Sequence, residues 1–193
     1  MLISLFGCST TTNADDTIRQ KQIEGSPQWD GEKFQNPERV PATEWGKSLV
    51  TFWDYFFNKP EEYTPNPSLP TEPFDITQWD GPQVLQLAWL GHTTFLIKID
   101  NKVILTDPMF SQQAGTYGWF SPVRYSKTLV STNNLPMVDV VLITHNHSDH
   151  LDENSIKMLI PKTKHFIVPL AVGELLEEWG VSHKKITELD WWQ

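Results

Sequence analysis

The sequence has little cysteine, few basic residues and no long apolar run, and each shortage excludes a class of protein. Cys8 is the only cysteine among 193 residues, so an internal disulfide and a zinc site built from cysteines are both excluded. Fifteen basic residues stand against 24 acidic ones, giving a formal net charge of −9, so a nucleic-acid partner is not expected. No apolar stretch is long enough to span a bilayer. The length favours one domain, or one domain with an arm.

The N-terminus resembles the end of a bacterial lipoprotein signal peptide. Leu5 and Gly7 precede Cys8, and a polar segment rich in Ser and Thr follows it. The charged start and longer apolar core of such a signal are missing, as if the first methionine lay inside the true signal. We therefore expect residues 1–8 to be a signal remnant and Cys8 to be lipidated. The expected location is the bacterial cell envelope, as an outer-membrane lipoprotein facing the periplasm; a frayed apolar terminus on a cytoplasmic protein is the alternative.

Residues 9–82 form a predicted arm that is rich in proline and tryptophan. Most of the 14 prolines fall there, and such a density excludes long helices and central strands. One helix is predicted over residues 43–58, because its apolar side chains recur at near-helical spacing. They are Trp45, Leu49, Phe52, Trp53, Phe56 and Phe57. This face either packs on the following domain or lies in a membrane interface.

Regular alternation of strands and helices begins at residue 83 and predicts an α/β domain over residues 83–193. A hairpin is predicted at the turn-forming pair Asp100-Asn101, and residues 138–143 form a run that is apolar except for Asp139, which is typical of a strand covered on both faces. The predicted strands are 84–90, 94–99, 102–106, 138–143, 165–168 and 185–189. One helix follows Asp152, and another spans 171–179 with Gly180 as its cap.

Residues 144–150 contain three histidines and an aspartate directly after the apolar run. Imidazole nitrogen and carboxylate oxygen are the ligands that zinc accepts when it keeps a position open for water. His145 and His147 are two residues apart, so in extended backbone they point to the same side. Asp149 and His150 follow at once, where they can serve a second ion. The pattern predicts a metal site at the end of a strand.

Several motifs resemble those of the metallo-β-lactamase superfamily. The pattern His145-x-His147-x-Asp149-His150 is its signature, and three further blocks resemble the phospholipase D family that hydrolyses N-acylphosphatidylethanolamine. These blocks are Trp-Leu-Gly-His-Thr-Thr at 89–94, Leu-Thr-Asp-Pro-Met-Phe at 105–110 and Glu-Leu-Asp-Trp-Trp at 188–192. Phe-Gln-Asn-Pro at 34–37 also resembles that family's N-terminal region. The first block is shared with lactonases that act on sugar phosphates.

The resemblance implies a four-layer αββα sandwich that holds two zinc ions. His145 and His147 would bind the first zinc, while Asp149, the candidate catalytic residue, and His150 would bind the second. The family's three further ligands, two histidines and a bridging aspartate, would come from segments later than residue 193. We therefore expect the N-terminal half of the sandwich, an exposed apolar sheet face and weak zinc binding.

Two more residues are candidates for the surroundings of the metal. Asp107 matches an aspartate that orients a ligating histidine, because such an imidazole needs an acceptor for its other N–H group. His92 follows Gly91 at a strand end, where it either borders the site or has a structural role.

The resemblance implies a zinc-dependent phospholipase D that cleaves N-acylphosphatidylethanolamine to N-acylethanolamine and phosphatidic acid. The expected partners are a phospholipid substrate and a membrane surface, and the oligomeric state stays open. One alternative is a lactonase of the same superfamily acting on a sugar phosphate. The other is a membrane-tethered fragment without turnover, since it lacks the later ligands.

Overall fold

The computed structural model describes residues 14–38, 50–51, 53–54, 57–58, 65, 69–79, 81, 84–114, 124–126, 130–131 and 133–193. Cys8 and most of the predicted helix 43–58 lie outside the described residues; within that range, Val50, Thr51, Trp53, Asp54 and Phe57 are helical. The helices among the described residues fall short of the length and apolar character needed to cross a membrane. The chain divides into two compact units, Met1–Val40 and Pro41–Gln193. The arm boundary near residue 82 stays a prediction.

The first unit contains helix α1, Ala14–Gly25, followed by a tight turn. Trp29 and Phe34 form an isolated antiparallel bridge across that turn, with ring centroids 5.1 Å apart. The Asp30 carboxylate lies inside the turn. Hydrogen bonds from the Lys33 backbone, the Gln35 side chain and the Glu32 backbone lower the pKa of Asp30 to about 2. The turn is therefore built around an ionised carboxylate.

The described part of the second unit contains one six-stranded sheet. The strands follow each other in space as they do along the chain, and the class is α/β as predicted. The first three strands are antiparallel, and the later ones are parallel. The strands are β1 Leu85–Gly91, β2 Thr94–Ile99, β3 Lys102–Thr106, β4 Val138–Leu142, β5 Thr163–Pro169 and β6 Ile186–Leu189. Besides the helical residues named above, this unit contains the helices α2 Ile76–Trp79, α3 Glu153–Leu159 and α4 Gly173–Glu178, with 3-10 turns at Ile160–Lys162 and His183–Lys185.

Local signals explain several boundaries. The hairpin turn places Asp100 at φ 46° and Asn101 at φ 61°, the two positive values that a type I′ turn requires. Asp152 caps α3 by accepting the Ser155 backbone N–H at 3.2 Å. Helix α4 begins at Gly173 rather than at 171 as predicted, because Ala171 has a φ of 67° and left-handed backbone cannot continue a helix.

One face of the sheet forms the core with α3 and α4. The buried cluster on that face includes Leu96, Leu105, Val141, Phe166, Ile156, Leu159 and Leu176. The opposite face is open within the described residues: Leu85, Leu87 and Trp89 of β1 are each 63% exposed. Leu142 is 36% exposed, so the expectation that the β4 strand is covered on both faces is wrong for this residue. Its apolar side chain belongs to the open face, and the apolar run alone could not distinguish the two faces.

The parallel strands place their carboxyl ends along one edge of the sheet. Asp107 follows β3, and the segment 143–150 follows its neighbour β4. Two backbone bonds continue the ladder past these ends, from Asp107 N to Leu142 O at 2.9 Å and from Ile143 N to Ile167 O at 2.9 Å. The turn between β1 and β2 brings His92 to the same edge, within hydrogen-bond distance of Asp149.

Candidate metal centre

The buried carboxylate of Asp107 connects the end of β3 to the histidine-rich segment. Its Oδ1 accepts the backbone N–H of Thr144 at 2.7 Å, and its Oδ2 accepts the Thr144 hydroxyl at 2.8 Å. The same Oδ2 lies 3.0 Å from Nδ1 of His150. Asp107 is only 3% exposed, so these bonds replace its hydration. One carboxylate thereby fixes both the start and the end of the segment 144–150.

These contacts determine which nitrogen each imidazole offers. His150 donates its Nδ1 hydrogen to Asp107, which leaves the lone pair on Nε2. The Thr144 hydroxyl donates its one hydrogen to Asp107. Its oxygen lies 3.0 Å from His145 Nδ1 and can therefore only accept a hydrogen bond from that nitrogen. His145 therefore also keeps its lone pair on Nε2. Both rings are prepared to coordinate a metal through that atom.

The imidazole rings crowd together. The ring centroid of His145 lies 4.6 Å from that of His147 and 3.9 Å from that of His150. Burial lowers the pKa of His145, and the charges of His150 and His147 lower it further. The neutral imidazole is the form that binds a metal ion, so this crowding favours the metal-binding state.

Three side chains bring their donor atoms within 4.8 Å of one another: His92, Asp149 and His150. His92 Nε2 lies 2.9 Å, and His150 Nε2 lies 3.6 Å, from Oδ2 of Asp149. Burial raises the pKa of Asp149, but its own backbone N–H and the two histidines outweigh this and lower the pKa overall. A carboxylate with a lowered pKa beside two imidazoles is a donor set that fits a zinc-type divalent ion.

The structure places all six predicted site residues in one cluster: His92, Asp107, His145, His147, Asp149 and His150. Their division between two ions stays a prediction. Two other histidines lie elsewhere: His165 Nε2 is 2.8 Å from Thr187 Oγ1, and His183 Nδ1 is 2.8 Å from Glu177 Oε1.

Sequence reasoning missed Thr144 and Arg124. Thr144 directly precedes the motif, and that position was the available signal. Arg124 donates from Nη2 to Leu90 O at 2.9 Å and from Nη1 to Met109 O, so it joins the β1–β2 turn to the segment after β3. Arg124 lies in a stretch of sequence without helical or strand periodicity, so no local pattern predicted its role.

Comparison with known proteins identifies relatives. The sequence profile of the beta-lactamase superfamily domain matches residues 86–189, more than half of the chain. An uncharacterised protein of Mycobacterium tuberculosis is 31% identical over 194 residues, covering 99% of this chain and 52% of the relative. The N-acyl-phosphatidylethanolamine-hydrolyzing phospholipase D 1 of Caenorhabditis elegans is 27% identical over 180 residues, covering 86% of this chain and 50% of the relative. A metal-dependent hydrolase of Saccharolobus solfataricus is 35% identical over 104 residues, covering 52% of this chain and 40% of the relative.

The chain thus spans about half the length of the first two of these relatives, 52% and 50%. The similarity to the worm protein extends well beyond the superfamily domain, whereas the archaeal hydrolase matches about half of the chain.

Proposed function

This chain belongs to the metallo-β-lactamase superfamily, and from this membership and the geometry of the site we infer that it acts as a metal-dependent hydrolase. We propose that its substrate is the phosphodiester of N-acylphosphatidylethanolamine. Water would break the bond between phosphorus and the ethanolamine oxygen, giving N-acylethanolamine and phosphatidic acid.

The extent of the match to the worm phospholipase carries the choice of substrate. That match covers 86% of the chain, so it includes much of the arm that precedes residue 86. If the two proteins shared only the hydrolase fold, their sequence similarity would be confined to the superfamily domain, residues 86–189. Similarity in the arm supports a shared substrate class, because arms outside the fold are free to vary with function.

The residues present divide the work of holding the ion. His145 and His150 direct Nε2 outward because Thr144 and Asp107 occupy their Nδ1 atoms. Asp149 adds an ionised oxygen, which offsets part of the positive charge of a divalent ion. When bound, a zinc-type ion supplies Lewis acidity: it neutralises charge on a phosphoryl oxygen and makes water more acidic. The buried Asp107 keeps the imidazoles oriented while substrate exchanges.

The arm supports a membrane surface as the place of action. Val50, Trp53 and Phe57 are helical, and their spacing of three and four residues puts them on one face. Trp53 and Phe57 are 58% and 65% exposed, and their rings lie 4.4 Å apart. Exposed aromatic side chains on a helix favour the headgroup region of a bilayer. Together with the proposed lipid anchor at Cys8, this face would bring the site to its substrate.

Hydrolysis of N-acylphosphatidylethanolamine in mixed micelles, followed by mass spectrometry of both products, tests the function. We expect the full-length protein to release both products, a chelator to abolish the reaction and added zinc to restore it. His150→Ala should lower kcat/KM by more than about 100-fold through loss of a ligand. His183→Ala, which removes a histidine that contacts Glu177 rather than the proposed ligands, should leave activity unchanged. If the zinc-loaded protein hydrolyses lactones but not the phospholipid, the proposed substrate is wrong.

A further inference from the structure

We propose that His92 is a positioning residue: it donates a hydrogen bond from Nε2 to the carboxylate of Asp149 and thereby fixes that carboxylate as a metal ligand. This inference rests on the proposed metal site, but not on the identity of the substrate. It assigns to His92 a role toward Asp149 that matches the role of Asp107 toward His150.

The backbone around His92 is held in a rare conformation. Gly91 has a φ of 102° and His92 a φ of 48°, and the β1–β2 register shifts between Trp89 and Gly91. Positive φ is costly for a residue with a side chain and persists only where its surroundings enforce it. This tight turn between β1 and β2 fixes the direction in which the His92 side chain leaves the backbone.

Two side chains stabilise this turn from opposite ends. Trp89 Nε1 donates to the carbonyl oxygen of His92 at 2.8 Å. Arg124 Nη2 donates to the carbonyl oxygen of Leu90 at 2.9 Å, and its Nη1 reaches the Met109 carbonyl. Arg124 thus ties the turn that carries His92 to the segment that follows Asp107. One guanidinium group thereby joins backbone positions that lie two residues from each of the two orienting residues.

Distances distinguish a positioning residue from a ligand. Two atoms that coordinate one zinc-type ion at 2.0–2.1 Å with tetrahedral geometry lie about 3.3 Å apart. His150 Nε2 is 3.6 Å from Asp149 Oδ2, close to that spacing. His92 Nε2 is 2.9 Å from the same oxygen, the usual length of an N–H···O hydrogen bond. His150 and Asp149 therefore have the spacing of ligands, and His92 has that of a donor.

The ring of His92 also packs against a proposed ligand. Its centroid lies 5.2 Å from that of His150, at an interplanar angle of 68°. This edge contact and the hydrogen bond to Asp149 give His92 contacts with two neighbouring donors at once. Its removal should loosen both without removing either from the site.

Metal affinity of the full-length protein tests the proposal without reference to catalysis. Cobalt(II) is titrated into the metal-free protein in competition with a chromophoric chelator, and the visible spectrum of the bound cobalt is recorded. His92→Ala should weaken affinity by about 10- to 100-fold while the number of ions bound stays the same. His92→Gln places an amide N–H near the position of Nε2 and should restore affinity to within about threefold of wild type. His183→Ala is the control for loss of a histidine.

The outcomes separate the possibilities. If both His92 variants bind one ion fewer and change the cobalt spectrum, His92 is a ligand and the proposal is overturned. If the Gln variant is as weak as the Ala variant, or the Ala variant binds like wild type, the hydrogen bond has no positioning role.

Circular dichroism on each variant confirms that the fold is intact. Trp89→Phe, which removes one hydrogen bond that supports the turn, should show a smaller loss of affinity than His92→Ala. A protein that passes these tests yet ignores the phospholipid would refute the proposed substrate alone.

Discussion

At the scale of single residues, the site depends on short polar side chains that hold larger ones. Asp107 and Thr144 are not the expected donors to the metal, yet they decide which nitrogen His145 and His150 present. Fixing the orientation of a ligating side chain costs conformational entropy. These buried hydrogen bonds fix the orientation when the protein folds, so the cost does not weaken the later binding of an ion.

Replacing Gly91 by alanine should destabilise the protein by about 2–4 kcal/mol, from backbone strain and from overlap with Arg124. Gly91 has a φ of 102°, and a Cβ there would collide with the Arg124 guanidinium. Gly31→Ala is the matched control: Gly31 has a φ of 99°, but a Cβ there would meet no atom within 4 Å, so this variant carries strain alone. Urea denaturation measures both. Equal losses in the two variants would show that Arg124 moves aside without cost.

Local patterns predicted the residues whose contacts are close in sequence, and the family resemblance and strand-end position predicted Asp107 and His92, but nothing in the sequence pointed to the contacts of Thr144 and Arg124. The turn at Asp100-Asn101 and the cap at Asp152 depend on neighbours, so both were predictable. The bond between Thr144 and Asp107 joins residues 37 positions apart, and the contact of Arg124 with Leu90 joins residues 34 apart. Such contacts follow from the order of the strands, which periodicity does not specify.

At the scale of elements, one carboxylate stabilises the junction of three parallel strands. Asp139 of β4 accepts the Val103 N–H of β3 through Oδ2 and the Lys164 ammonium group of β5 through Oδ1, each at 2.8 Å. The Lys164 side chain and the Val103 backbone N–H lower the pKa of Asp139. Because the folded pKa is lowered, the stabilisation is present above the ordinary value of 3.8 and disappears as the pH falls through the lowered pKa.

Asp139→Asn should therefore lower the free energy of unfolding by about 1–2 kcal/mol at pH 7, through loss of charge-assisted hydrogen bonds. The difference from wild type should shrink steadily as the pH falls below about 4. Glu153→Gln breaks the Glu153–Lys157 pair at 2.6 Å, whose side chains are 42% and 53% exposed, and should change stability by less than about 0.5 kcal/mol. Chemical denaturation over a series of falling pH values measures both variants, and a difference for Asp139→Asn that does not decrease below about pH 4 would contradict the assigned cause.

At the scale of the whole molecule, the exposed aromatic pair of the arm predicts membrane association. Trp53→Ser with Phe57→Ser should reduce binding to phosphatidylcholine–phosphatidylethanolamine vesicles by at least about tenfold, because each ring loses apolar burial in the interface. Ile18→Ser is the control, since Ile18 is 57% exposed in the other unit but has no aromatic partner at helical spacing among the described residues. Vesicle sedimentation measures the partition. Equal binding of the double variant and wild type would exclude this face as the contact.

The order of the strands also has a consequence for how the protein is made. Each strand from β2 onward pairs with the strand synthesised immediately before it. Among the described strands, each one therefore leaves the ribosome next to a neighbour that is already synthesised, and none has to wait for a partner further along the chain. His92, Asp107 and the segment 144–150 all belong to the first four strands and the turns that follow them, so the residues of this cluster are synthesised before β5 and β6. The bond from Ile143 N to Ile167 O then fixes the start of the segment when β5 joins the sheet.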